Sequence, residues 1–345
     1  NVLLSLAIVA CVYDVARRLF RDDRLAGLCA FVAAIEPTML TWSLKMMPET
    51  LLTLCVLAFV ACAFRALETR DLRWTCAAGF MLCVAAYVKP VAWPFIPLVL
   101  LVSLAARQPR HSLALLLLCV ALIAPWHIRN ARLAGFAGFS TLMDRALYLG
   151  AGGAVVARHE HRSYEAVHEE LEDQSRIRRA PDAALQYSDI RRQGLRLVAS
   201  DPLGYALTHM KRVARTLLDP GAVEYLRFAG LYTEGGQRVL ERPGRGAVQR
   251  VLQLARAYPL AVAASCVLAL LLLPLLLLPI VGATRIPREL RAHFFLLALV
   301  TAYFIAISGG VASQPRFRVP VVPLLILMSA FAVRPRASAS ETLPQ

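Results

Sequence analysis

Nine apolar runs dominate the chain: Val2–Val12, Leu25–Leu40, Leu51–Ala66, Trp74–Val88, Val91–Ala105 and Leu113–Trp126, then, after a long polar interval, Leu260–Ala283, His293–Ser308 and Val319–Val333. A helix needs about 20 apolar residues to cross the hydrocarbon, and fewer when its end turns sit among headgroups. Lipid offers no water to unpaired peptide groups, so such runs can cross only as helices. The pattern predicts an all-α polytopic membrane protein. Composition agrees, with 58% hydrophobic residues and a mean hydropathy of +0.56, well above a soluble domain.

A net charge of +15 raises the question of nucleic acid. The arginines, however, alternate with the apolar runs, which is the pattern of membrane anchors, so nucleic acid is not expected as a partner. With nine separate spans, loops on one side carry fourteen arginines, clustered as at Arg17–Arg24 and Arg285–Arg291. The short loops on the other side carry only Lys45, Lys89, Arg316 and Arg318. The positive-inside rule places the arginine-rich side in the cytoplasm. Merging Trp74–Val88 and Val91–Ala105 into one kinked helix across Lys89-Pro90 would spoil this alternation, so they are read as separate spans. The expected organisation is a first transmembrane part over residues 1–126, an extracytoplasmic domain over 127–256, a last transmembrane part over 257–333 and a disordered cytoplasmic tail over 334–345. Localisation follows as a multi-pass protein of the inner (plasma) membrane. The chain starts at Asn1 inside an apolar run without a basic leader, which reads as a fragment and not as a signal peptide.

The eight cysteines all lie inside apolar runs and read as small packing residues. In the polar interval, Leu203, Ala206, Leu207, Met210, Val213, Ala214 and Leu217 recur at helical spacing. Asp201-Pro202 reads as the start of that helix and Asp219-Pro220-Gly221 as its stop. Such a basic amphipathic helix either lies on the bilayer or packs on its own domain. A second helix is expected near Asp182–Ala199. His159, His161 and His168 stand among Glu160, Glu165 and Glu169, but the stretch is charged throughout and reads as a solvated face. No metal site is assigned, and no cofactor is expected; a divalent cation finds no support in the pattern.

No phosphate-binding glycine loop, dinucleotide fingerprint, GxSxG or HExxH is present. Ionisable residues at the outer ends of the spans are the candidates, because charge near lipid is costly unless it pairs or lines a cavity. Glu49 opens a span after Pro48, either as a site acid or as a helix-dipole partner. Lys89 sits in a tight turn between two spans and either holds an anion or snorkels. Arg129 follows Trp126 in Pro125-Trp126-His127-Ile128-Arg129-Asn130. Arg316 and Arg318 flank Phe317 in a loop where the positive-inside bias should deplete arginine, and suit a phosphate.

Four passages together resemble the polytopic GT-C glycosyltransferases, nearest to the protein O-mannosyltransferase-like and aminoarabinose transferase-like enzymes (glycosyltransferase family 39 and relatives). They are Val15-Ala16-Arg17-Arg18-Leu19-Phe20, Met47-Pro48-Glu49-Thr50, Ala124-Pro125-Trp126-His127-Ile128-Arg129-Asn130 and Arg316-Phe317-Arg318-Val319-Pro320. The resemblance implies a GT-C-like bundle with a mainly helical external domain. It implies transfer of a hexosyl or pentosyl group from a polyprenyl-phosphate donor to an acceptor (protein, lipid or glycan) on the extracytoplasmic side. Glu49 would be a supporting acid, with the main base expected before residue 1. Lys89, Arg129, Arg316 and Arg318 would hold the donor phosphate. Two other readings stay open: a transporter or flippase of a lipid-linked saccharide, and a catalytically inactive scaffold of the same fold.

Overall fold

A computed structural model describes residues 1–177, 183–228, 230, 249, 255–309 and 314–334. Among these residues the regular structure is helical, with no strand. Five helices are long and apolar enough to cross a membrane: Glu49–Thr69, Pro109–Ala134, Pro259–Ala283, Arg288–Ser308 and Pro315–Val333. A sixth arises if Asp23–Ile35 and Pro37–Ser43, bent by 56°, act as one span. The chain is therefore a multi-pass α-helical membrane protein. Leu72–Val88 and Pro90–Ala105 are separate helices, as the sequence predicts, but they are shorter than the five and are not among those long enough to cross, where the sequence expected two of nine spans. The expected tail beyond Arg334 and the arginines at 178 and 179 lie outside the described residues.

Contacts divide the chain into two compact units. The first comprises Asn1–Met46, Pro220–Thr301 and Val321–Gln345. In it, α1 (Val2–Phe20) stops at Arg21, whose φ of 54° takes the left-handed conformation of a helix C-cap. Asp22 then accepts hydrogen bonds from the Arg24 and Leu25 backbone N–H groups and starts α2 (Asp23–Ile35). The Glu36 carboxylate caps the next helix, α3 (Pro37–Ser43), through Met39 N–H at 2.7 Å, so the bend has a sequence cause in Glu36-Pro37. In the same unit, Phe331 of the last helix meets Phe20 at 4.9 Å and Phe294 at 5.2 Å between ring centroids, both edge to face.

The second unit comprises Met47–Asp219 and Ala302–Pro320. Here α4 (Glu49–Thr69) packs along α5 (Leu72–Val88). Lys89 ends α5 in extended backbone, as the residue before a proline favours, and a tight turn at Pro90–Ala92 leads into α6 (Phe95–Ala105). The helix α7 (Pro109–Ala134) passes through Pro125 and continues two turns beyond Trp126 to Gly135 (φ 61°). Trp126 Nε1–H donates to the Phe139 carbonyl at 2.9 Å, and the Asn130 amide to Gly138 at 3.0 Å, which folds the following loop back onto the helix. The polar interval then runs through α8 (Leu142–Arg145), a π-helical segment at Ala146–Gly152, α9 (Gly153–His159), α10 (Tyr164–Ile177), α11 (Ala183–Ser200) and α12 (Pro202–Leu218). It has its own core, built on Tyr148, Leu149, Ala157, Val167, Leu171 and Ile190. Asp144, buried, forms a two-armed pair with Arg191 at 2.7 and 3.2 Å, tying α8 to α11. The α12 helix begins as its sequence predicts, with Asp201 accepting from Gly204 N–H at 2.8 Å and Pro202 in the first turn. In the first unit, the chain resumes with α13 (Ala222–Phe228), α14 (Pro259–Ala283), the start of α15 (Arg291–Ser308) and α16 (Val322–Val333).

Two helices of the first unit approach closely at Gly282 in α14. A Cβ there would stand 2.5 Å from the Met328 carbonyl of α16 and 3.2 Å from Phe331 Cβ. Gly282→Val should destabilise the detergent-solubilised protein by about 1–3 kcal/mol, as overpacking does. Gly27→Ala in α2, where nothing lies within 4 Å, should leave the thermal unfolding curve in place. Equal unfolding temperatures for both variants would contradict this packing.

Candidate functional site

The site is built where helices of the second unit end at one level. Glu49 is the first residue of α4, where the partial positive charge of the helix N-terminus favours an acid. Its side chain is only 2% exposed. Lys89, at the end of α5, reaches it with Nζ–Oε1 of 2.9 Å. Arg316 Nε stands 3.9 Å from the same oxygen. Arg316 belongs to the 3₁₀ segment Pro315–Val321. Three residues widely separated in sequence thus meet, with Glu49 placed where the dipole-partner reading puts it and paired with two cations as well.

Phe317, which the sequence reading did not single out, completes the group. Lys89 Nζ lies 4.9 Å and Arg316 Cζ 5.0 Å from its ring centroid, within cation–π range. The aromatic between two arginines was the available signal. A sequence alone does not say that both cations of the site share that ring.

The electrostatics are unbalanced. One carboxylate faces two cations, and among the described residues neither Lys89 nor Arg316 has a second acidic partner. Burial pushes the Lys89 ammonium below the ordinary lysine range and Arg316 pushes the same way, while the bond to Glu49 and its charge oppose them. Glu49 Oε2 and Arg316 Nε are buried with no hydrogen-bond partner. Buried polar atoms in folded proteins are nearly always paired, and leaving one unpaired costs about 1–3 kcal/mol. The group therefore offers a surplus positive charge, an idle donor and an idle acceptor, with Lys89 and Arg316 still 22% and 28% exposed. This arrangement suits an anionic oxygen beside a hydroxyl.

Arg318 is placed differently from the expectation that grouped it with Arg316. It is fully buried, and its Nη1 donates to the carbonyls of Thr216 (3.0 Å), Leu217 (2.8 Å) and Asp219 (2.9 Å). These include last-turn carbonyls of α12, which lack partners within their helix and attract a cation. At about three residues per turn of a 3₁₀ helix, residues two apart point to different sides. Arg129 stacks on Trp126 at 4.8 Å and donates to Asn130 Oδ1 at 3.1 Å, with no contact to the Glu49 group among the described residues. The histidines of the charged stretch do not converge: His159 faces Asp201 at 3.5 Å and His168 faces Glu172 at 4.0 Å. Among the described residues no group of three or more potential metal ligands comes together.

Arg318→Met should remove three charge-assisted bonds and cost about 3 kcal/mol or more of stability. The expected readout is a lower unfolding temperature together with faster proteolysis near Leu218. An unchanged protein would mean that the guanidinium does not hold this helix end.

Comparison with known proteins finds a family match over the first part of the chain. Residues 1–128 match the family described as dolichyl-phosphate-mannose-protein mannosyltransferase, a GT-C family. The matched stretch includes Glu49 and Lys89. The chain matches no curated protein and no solved structure.

Proposed function

From a chain whose residues 1–128 match the dolichyl-phosphate-mannose-protein mannosyltransferase family, and whose fold is that of a helical multi-pass membrane protein, we infer a glycosyltransferase that moves a sugar from a polyprenyl-phosphate donor to an acceptor on the extracytoplasmic side. A membrane glycosyltransferase of the GT-C type is what the family supports. The donor, the side and the residue roles are proposed here. The observation that carries them is the buried Glu49 shared by Lys89 and Arg316, with charge left over.

In the transfer, the bond between sugar C1 and the phosphate oxygen breaks as the acceptor oxygen bonds to C1. The acceptor hydroxyl loses its proton to a base, and negative charge gathers on the departing phosphate. Cations fixed in place before the reaction stabilise that charge without reorganising. Lys89 and Arg316 take this part. Glu49 keeps the two cations together while the site is empty, and its Oε2 accepts a hydroxyl of the bound sugar or acceptor. Glu49 is not assigned as the base, because its Oε1 is already engaged by Lys89. Arg318 acts indirectly by fixing the turn that carries Arg316, and Arg129 stands as an outer phosphate contact at the end of α7.

This division of labour predicts distinct variants. In the full-length protein, Lys89→Met and Arg316→Ala should each slow release of free polyprenyl phosphate from a radiolabelled donor by about ten- to hundredfold. Glu49→Gln should slow it by a comparable factor while the protein stays folded. Turnover near the parent's in both cation variants would remove the phosphate assignment. A protein that binds the donor and moves it between leaflets without cleaving it would instead be a flippase.

A further inference from the structure

The α12 helix has two chemically opposite faces, and among the described residues only one of them is packed. Tyr205, His209, Arg212 and Thr216, at steps of four, three and four, lie on the inner face. The Tyr205 hydroxyl meets His209 Nδ1 at 3.1 Å, and His209 Nε2–H donates to the Ala306 carbonyl at 2.8 Å. Arg212 donates to the Gly150 carbonyl at 3.0 Å and stacks on Tyr164 at 4.6 Å. Thr216 is fully buried, and its carbonyl accepts from Arg318. Leu203, Leu207, Met210, Ala214 and Leu218, at steps of four, three, four and four, form the outer face. The four large residues are 71%, 45%, 63% and 62% exposed. Lys211 and Arg215 are exposed along one border of this stripe.

Water is a poor neighbour for such a stripe, since contiguous exposed apolar surface marks an interaction site. The position of the helix says what the neighbour is. The inner face holds Ala306, near the end of the span Arg288–Ser308, and Arg318, near the start of the span Pro315–Val333. A Cβ on Gly309, just past the first of these spans, would meet the His209 ring at 2.7 Å. The helix is thus fastened to the ends of two apolar helices long enough to cross a bilayer, and such ends lie near the headgroups of the bilayer they cross. A helix of 17 residues is about 25 Å long, and one with a large apolar face bordered by basic residues lies in the interface plane.

We propose that α12 is an in-plane membrane helix, its Leu203–Leu218 stripe seated in the acyl region of the bilayer and Lys211 and Arg215 set against anionic lipid headgroups. This goes beyond the glycosyl-transfer reading and does not depend on it. Of the two readings open from the sequence, the described contacts leave the stripe off the protein's own core.

The test uses the full chain in nanodiscs of equal phosphatidylcholine and phosphatidylglycerol, with a diazirine-bearing residue replacing Met210 in one sample and Tyr205 in another. After illumination, mass spectrometry reads what each position has captured. Phospholipid adducts at 210 and protein adducts at 205 are the expected result. Insertion into water at 210 would overturn the proposal, and so would a crosslink there to this chain or to a second copy. Phosphatidylglycerol should exceed phosphatidylcholine among the adducts by roughly twofold or more, and Lys211→Gln with Arg215→Gln should abolish the excess. Equal capture of both lipids by the parent sequence would overturn the assignment of those two side chains to anionic headgroups.

Discussion

A carboxylate that two cations share is the constraint on which the second unit's architecture depends. Charged groups near hydrocarbon lose hydration and must be repaid by partners. Glu49 opens α4, Lys89 closes α5 and Arg316 opens the last span, so their meeting pins three helix ends at one depth. The helices could not slide along one another by a turn without burying an unpaired ion. Phe317 reinforces the arrangement by offering its ring to both cations. The site and the register of the bundle are therefore held by the same contacts, and a substitution in one is felt in the other.

Arg318 shows how a charged residue can serve the fold two positions away from one assigned to chemistry. Its guanidinium supplies the donor that the α12 C-terminus lacks. The Pro315–Val321 segment is thereby held at both of its jobs: one side chain is buried as a cap, and its neighbour but one is left facing Glu49. The surplus charge at Lys89 and Arg316 is tolerated because both side chains keep partial access to solvent.

Much of this was legible in the sequence. The apolar runs announce the spans, Lys89-Pro90 announces a break, and Asp201-Pro202 announces the start of α12. Each rests on local chemistry: apolar length, the missing N–H of proline and a capping carboxylate. Glu49, Lys89 and Arg316 were also singled out, because ions at span ends need a reason. What the sequence withheld depends on direction and on distant partners. Arg316 and Arg318 look equivalent in a string, and the tight winding of their turn sends them to different places. The continuation of α7 past Trp126 rests on Trp126 and Asn130 reaching carbonyls in the loop that follows. The exposed outer face of α12 has the same pattern as a core-facing stripe, so periodicity alone left its neighbour undecided.

The three carbonyls gathered on one nitrogen of Arg318 have a mechanical consequence. A seven-residue turn with a tethered middle is short and stiff, so Arg316 cannot change height independently of the helix that Arg318 caps. The position of Arg316 is therefore referenced to α12 through the Arg318 tether. A tilt of α12 in a thinner or thicker bilayer would pass through this tether to the cation pair at Glu49.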